Sequence, residues 1–135
     1  MQIVIILEGR PQTYQHGGYH IGNMIIGNYG KLYIIDLDRS DFGDTWEEFN
    51  RIVWCVQKSY LFASGMVNGY FDGNVPMKFW KLLALYISSN MLSSVYWAIP
   101  FGQDEVNAML NQAEEVLSWY DDMQRFVLPW YINAL

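Results

Sequence analysis

Apolar residues follow two different rhythms along this chain. In the first third they come as short runs broken by turn-forming residues. Met24-Ile25-Ile26 and Leu32-Tyr33-Ile34-Ile35 are such runs, rich in strand formers, and Gly27-Asn28-Tyr29-Gly30 between them is a turn by composition. The pattern predicts a β-hairpin that returns to where it began, so that Asn23 and Asp36, at its outer ends, lie side by side. Ile3 to Leu7 is continuously apolar and mostly β-branched, which suits a short buried strand, with a helix end as the alternative. Thr13-Tyr14-Gln15 reads as extended chain leading into a loop at His16. Asp41 to Asp44 reads as a further loop beyond the hairpin.

From Thr45 onward the rhythm becomes helical. Thr45-Trp46-Glu47-Glu48 has the spacing of a capping box, with Thr45 as N-cap and Glu48 at N3. Trp46, Phe49, Ile52, Val53 and Val56 then recur on one helical face. Phe62 to Phe71 suits a second, shorter helix closed by Asp72-Gly73, and Pro76 fits the first turn of a third. No charged residue occurs from Leu82 to Gln103, which is long enough to raise the question of a membrane span. Ser88, Ser89, Asn90, Ser93 and Ser94 in its middle favour a central helix of a helical lobe instead. A last helix is expected from about Gln103 to Arg125, with Val106, Met109, Leu110, Ala113, Val116, Leu117 and Tyr120 facing the core. The tail, Phe126 to Leu135, is apolar and aromatic without a clear period.

Composition sharpens this picture. The chain has 135 residues, 52% hydrophobic and 16% charged, which suits one globular domain with a sizeable core. Aromatic residues make up 17%, so either the core is large or some surface is meant to be covered. A net charge of −6 without a basic cluster argues against a nucleic-acid partner. The lone Cys55 suits a reduced, cytoplasmic protein, and no signal peptide is evident.

The candidate chemistry sits at the start of the hairpin, in His16-Gly17-Gly18-Tyr19-His20-Ile21-Gly22-Asn23. A carboxylate at Asp36 beside the Asn23 amide oxygen offers oxygen ligands to a hard cation such as Mg²⁺. Taken alone, an Asp after a strand is more simply turn chemistry. His20 is a weaker metal candidate, because no Cys or suitably spaced second His supports a zinc site.

The wording HGGYHIGNM, IIDLDR and GDTWEEFNRIVW resembles the aminoglycoside phosphotransferase family, a branch of the kinase-like phosphotransferases, from about Arg10 to Tyr120. The resemblance implies a mostly helical α+β fold like the C-terminal lobe of a kinase, with a catalytic-loop hairpin followed by about four helices. It implies metal ligands at Asn23 and Asp36, a scaffolding role for His16, and a chiefly structural Asp44. It also places Gly18 where the family carries its catalytic Asp. Asp41-Phe42-Gly43 spells a kinase metal motif, but Asp36 already holds that place in the order of elements.

ATP-dependent phosphoryl transfer also needs a phosphate cradle and a Lys. No Lys precedes Lys31 and no Gly-rich loop follows a strand ahead of His16, so the nucleotide-binding lobe is expected to lie outside these residues. The expectation is therefore an enzyme lobe that is inactive alone, with Mg²⁺ and ATP or GTP as cofactors if activity remains. The alternative is a non-catalytic binding protein on the same scaffold. A small-molecule substrate, possibly polycationic, is expected at Asp38, Asp41 and Glu47, within an acidic stretch that includes Asp44 and Glu48. Ile3 to Leu7 and the tail are expected to be under-buried, which suggests a homodimer or association with the missing lobe. No membrane partner is expected.

Overall fold

The computed structural model describes residues 3–133. These form a mostly helical α+β arrangement in which two small antiparallel sheets precede four helices. The strands are β1 (Gln12–Gln15), β2 (Met24–Ile26), β3 (Leu32–Ile34) and β4 (Asp41–Asp44). The helices are α1 (Ile52–Lys58), α2 (Tyr60–Phe71), α3 (Met77–Ala98) and α4 (Gln103–Tyr120).

The hairpin is β2 against β3, with Met24 opposite Ile34 and Ile26 opposite Leu32. Its turn is a single 3₁₀ turn, Asn28–Gly30, closed by a 2.8 Å hydrogen bond from the Gly27 amide to the Lys31 carbonyl. Tyr29 carries the left-handed backbone there, at φ +63°.

The second sheet corrects the sequence reading. Asp41 to Asp44 is not a loop but a strand, paired with β1 so that Gln12 faces Asp44 and Gln15 faces Asp41. Two Asp and a Gly hide a strand from any propensity argument, and only the long-range partner reveals it. A Cβ on Gly43 would stand 2.6 Å from the end of the Gln15 side chain, which would have to move aside. Ile3–Leu7 is a 3₁₀ turn rather than a strand and packs near α3. A short continuous apolar run fits either state, and both strands of this sheet are already paired with each other.

The capping box at Thr45 does not form. Thr45 Oγ1 lies 3.2 Å from Thr13 Oγ1, and the Asp44 carboxylate accepts from the Trp46 amide at 2.9 Å instead. A 3₁₀ segment, Glu47–Arg51, comes first, and α1 begins only at Ile52. Ser59 caps α2 by accepting from the Phe62 amide at 3.2 Å, and Asp72 ends it in the left-handed conformation. Pro76 is the N-cap of α3 rather than part of its first turn.

The core is built from Phe49, Ile52, Val53, Val67, Phe79, Leu83 and Ile87, with Trp46, Phe71 and Phe79 meeting edge to face. α3 is central only in its first half. Phe79 to Ile87 is largely buried, whereas Leu92, Tyr96 and Trp97 are exposed. By length and composition Met77–Phe101 is apolar enough to cross a membrane, and 33% of its apolar window is buried within the fold.

α4 stops at Tyr120, earlier than expected, because Asp121, Asp122 and Met123 all take positive φ. Its inner face carries Gln112, Val116, Trp119 and Tyr120, while Leu110 and Leu117 point outward. The expectation of under-burial holds at Ile5, Val127 and Ile132, which are exposed, and is corrected for the middle of the tail. Leu128 is 1% exposed, and Trp130 packs between Trp80 and Trp119. Ser64 donates to the Trp130 carbonyl, and Asn68 donates to that of Ile132 at 2.8 Å, so α2 clamps the tail. The end of the expected tail, beyond residue 133, lies outside the described residues.

Candidate active-site loop and its cleft

His16 is buried and ties the loop in two directions. Its Nδ1 accepts from the Gly18 amide at 3.2 Å, which leaves Nε2 to donate to the Ile35 carbonyl at 2.9 Å. One imidazole therefore links the loop to the end of β3. Glu48 holds the same loop from the opposite side, accepting from the amides of His16 at 2.7 Å and Gly17 at 2.9 Å. Gly17 sits at φ +76°, and a Cβ there would lie 2.0 Å from the Arg39 carbonyl oxygen, so only glycine fits.

The other half of the loop is a 3₁₀ turn, Ile21–Asn23, whose N-cap is His20. The His20 Nδ1 accepts from the Gly22 amide at 3.1 Å. Burial holds the His20 pKa below its ordinary value, with Arg51 acting in the same direction and Asp36 opposing. The Ile21 amide donates to the Cys55 thiol sulfur, which binds this turn to α1.

Asn23 closes the circle. Its Nδ2 donates to the Gly18 carbonyl at 2.9 Å, and its own carbonyl accepts from the Ile35 amide at 3.0 Å. The main chains of Asn23 and the residue before Asp36 are thus direct neighbours. Asp36 is exposed, at φ +67°, and forms no ion pair among the described residues. With Nδ2 committed to Gly18, the oxygen of the Asn23 amide is left unused by that bond. An amide oxygen and a carboxylate are donor types that could take part in a Mg²⁺ shell completed by waters and substrate phosphates. Among the described residues no group of three or more His, Cys, Asp or Glu could hold a metal ion without such help.

Gly18 is buried, and its φ is not in the left-handed region. A Cβ built on it points between Asn23 Nδ2, at 3.2 Å, and His16 Nδ1, at 3.7 Å.

The acidic stretch disperses. Asp38 lies exposed in the turn after the hairpin, and Asp41 is exposed on β4. Asp44 is buried and engaged in full: Arg10 donates to both of its oxygens at 2.8 Å, and Tyr86 donates at 2.6 Å. Burial alone would raise the Asp44 pKa, but the bonds from Arg10, Tyr86 and the Trp46 amide together hold it below the usual range. Burial and the Asp44 charge push the Tyr86 hydroxyl far above its ordinary value. The Arg10 guanidinium also lies 3.4 Å over the Trp46 ring.

Glu47 alone of the acidic stretch reaches a cavity. It helps line a cleft of about 330 Å³ with Asn50, Arg51, Tyr86, Asn90 and Trp97. Burial raises its pKa, and Asp41, Asp44 and Glu48 add to that, against a hydrogen bond from Gln15. A second opening of about 270 Å³ shares Arg51, Ser94 and Trp97 with the first and extends to His20, Trp54 and Glu105.

Sequence reasoning missed Glu48 as the loop's anchor, because the Thr45–Glu48 spacing fits a helix cap equally well. It missed Arg10 and Tyr86 as partners of Asp44, and Arg51 as a cleft residue. One usable signal was the serine- and asparagine-rich patch in α3, which supplies one wall of the cleft.

The described residues thus form a mostly helical α+β lobe with a glycine-rich His…Asn loop ahead of a hairpin and an exposed Asp after it. The family model described as the phosphotransferase enzyme family matches residues 5–80. The chain belongs to that family, in keeping with the aminoglycoside phosphotransferase wording of its loop. No curated protein and no solved structure shows significant similarity to it.

Proposed function

We propose that this chain is the metal- and acceptor-side lobe of a kinase-like phosphotransferase, folded as a single domain. Its reaction class is transfer of a phosphoryl group from Mg²⁺-bound ATP or GTP to a hydroxyl of a small molecule, with aminoglycosides as the family's type of acceptor. The observation that supports this reading is the main-chain hydrogen bond from Ile35 to Asn23, which makes the residue before Asp36 a backbone neighbour of Asn23. Asn23 and Asp36 hold Mg²⁺, and His16 and Glu48 fix the loop. The bound Mg²⁺ would neutralise charge on the nucleotide's phosphates. Asp38, Asp41 and Glu47 are the acids nearest the acceptor side, and a cytoplasmic setting supplies the nucleotide.

The lobe does not turn over as it stands, because residue 18 has no side chain to receive the acceptor's proton. A positioned base of this kind contributes about 10² to 10⁴-fold. The phosphate cradle and its Lys come from a nucleotide-binding lobe, in the same polypeptide or another. The test is ATP turnover over a panel of hydroxyl compounds, with a family nucleotide-binding lobe supplied to both the unmodified chain and Gly18→Asp. Turnover should appear only with Gly18→Asp, and turnover by the unmodified chain would overturn the reading of Gly18.

A second reading, a binding protein without catalysis, is favoured by one observation. The Gly18 amide and carbonyl are both satisfied, by His16 and Asn23, so the loop stands intact without a catalytic side chain. Saturable ligand binding with no turnover by Gly18→Asp would select it.

A further inference from the structure

Arg51 is the cation of the cleft. It is the last residue of the 3₁₀ segment before α1, and it lines both openings. Its Nε is buried without a hydrogen-bond partner, and it forms no ion pair among the described residues. Its guanidinium lies 5.3 Å from the centre of the Trp54 ring, a contact that neutralises nothing. The charges that act on it from neighbouring elements are Arg39, which repels it, and Glu48, which attracts it. Glu48 already serves the His16 and Gly17 amides.

Around Arg51 the cleft is polar and ordered. Asn90 donates to Asn50 at 2.9 Å, and Ser94 donates to Asn90 at 3.1 Å. Ser89 and Ser93 add hydroxyls, and Trp97 adds a flat apolar face. Such a lining suits a small polyhydroxylated compound. Glu47 and Glu105 stand toward opposite ends, in different openings, and Arg51 is shared by both.

We propose that this cleft binds a polyhydroxylated small molecule bearing an oxyanion, with the Arg51 fork on the carboxylate or phosphate and the Asn50–Asn90–Ser94 relay on the hydroxyls. A guanidinium matches both oxyanions in two-pronged geometry. A polycation would have to approach Arg51 with only Glu47 and Glu105 lining the openings to compensate, since Asp44 and Glu48 are already engaged. The inference deepens the phosphotransferase reading by giving its acceptor a negative charge, and it rests on that reading only for the word acceptor.

The test is a titration of the full, unmodified chain followed at the Arg51 Nε–Hε resonance. The probes are gluconate, glycerol 3-phosphate, inorganic phosphate, neutral glucitol and a kanamycin-type polyamine. Gluconate or glycerol 3-phosphate should give a saturable shift by about 10 mM, where a millimolar site is mostly filled. Which of the two acts identifies the oxyanion. Arg51→Lys, titrated by calorimetry beside the unmodified chain, keeps the charge without the fork and should weaken that binding roughly tenfold or more. Asn90→Ala should weaken it with Arg51 intact. No shift with either compound overturns the proposal, as does an equal response to bare phosphate, or a polyamine that binds where the anions do not. Mg²⁺–ATP binding is scored separately by its dependence on Asp36. With a family nucleotide-binding lobe supplied, Mg²⁺–ATP binding that does not depend on Asp36, with the Arg51 response retained, defeats the kinase reading and not this one.

Discussion

The Glu48 carboxylate reaches back 32 residues to accept the main-chain amide of His16 at 2.7 Å, and it takes the next amide, Gly17, with its other oxygen. A side chain with the spacing of a helix cap thus holds the candidate catalytic loop. The helix start and the loop are fixed relative to each other by one charged group.

Glu48→Ala should therefore loosen the loop more than it frays a helix. Losing a charged acceptor for two amides should destabilise the fold by about 1.5–3 kcal/mol. Hydrogen exchange should accelerate at the amides of His16 and Gly17 before it does in α1. Faster exchange confined to α1 would contradict this.

The two adjacent glycines should respond oppositely. Gly17→Ala meets the Arg39 carbonyl at 2.0 Å and carries a φ of +76°. The left-handed backbone alone should cost about 1–3 kcal/mol. Gly18→Ala meets nothing nearer than the Asn23 amide at 3.2 Å, and should stay within about 1 kcal/mol of neutral. Thermal melts of the two proteins compare them directly, and equal losses would refute the geometry.

Asp44 makes stability depend on acid pH. Its folded pKa lies below the unfolded one, because the bonds from Arg10, Tyr86 and Trp46 outweigh burial. That contribution is fully present above the unfolded carboxylate pKa of roughly 4, and it is lost as pH falls through the folded value. Asp44→Asn leaves Arg10 nearly buried without its partner, at 12% side-chain exposure, and should cost about 3–5 kcal/mol near neutral pH. Urea midpoints should show the gap between the two proteins narrowing in acid, and a gap that widens would reverse the sign.

His20 should add a milder dependence higher on the pH scale. Burial first, then Arg51, holds its folded pKa below the unfolded value, so its contribution is present above that value and lost as pH falls through the folded one. Protonation also removes the Nδ1 acceptor of the Gly22 amide. His20→Asn keeps an acceptor at the cap, and should flatten the pH dependence of exchange at Gly22.

Leu128→Ala should cost about 2–5 kcal/mol, as for a core leucine, because only 1% of Leu128 is exposed. A loss near zero in urea unfolding would return the tail to the surface.

Much of this architecture could be read from local pattern. The hairpin, the end of α2 at Asp72 and the start of α3 after Pro76 each follow from residues within a few positions of one another. The failures share a cause, which is long-range partnership. β4 exists because β1 lies opposite, and Asp41-Phe42-Gly43-Asp44 carries no alternation that would announce it. Glu48 has a plausible local use as a cap and a distant actual one. The tail has no helical period because its burial is irregular, set by Trp80, Trp119 and the two polar residues of α2 that hold its backbone. The loop was legible as a unit because His16, Gly18 and Asn23 lie within one turn of chain, whereas Arg51 became a cleft residue only when α3 was folded beside it.

Gly18 also bears on how such a chain can change over generations. Its amide and carbonyl are held by neighbours' side chains, and nothing in the fold leans on a side chain at that place. Some glycine codons differ from an aspartate codon by a single base. Gly18 is buried with its built Cβ 3.2 Å from the Asn23 amide nitrogen, so an aspartate there has to be accommodated by that amide, and selection on folding acts on this position together with selection on chemistry.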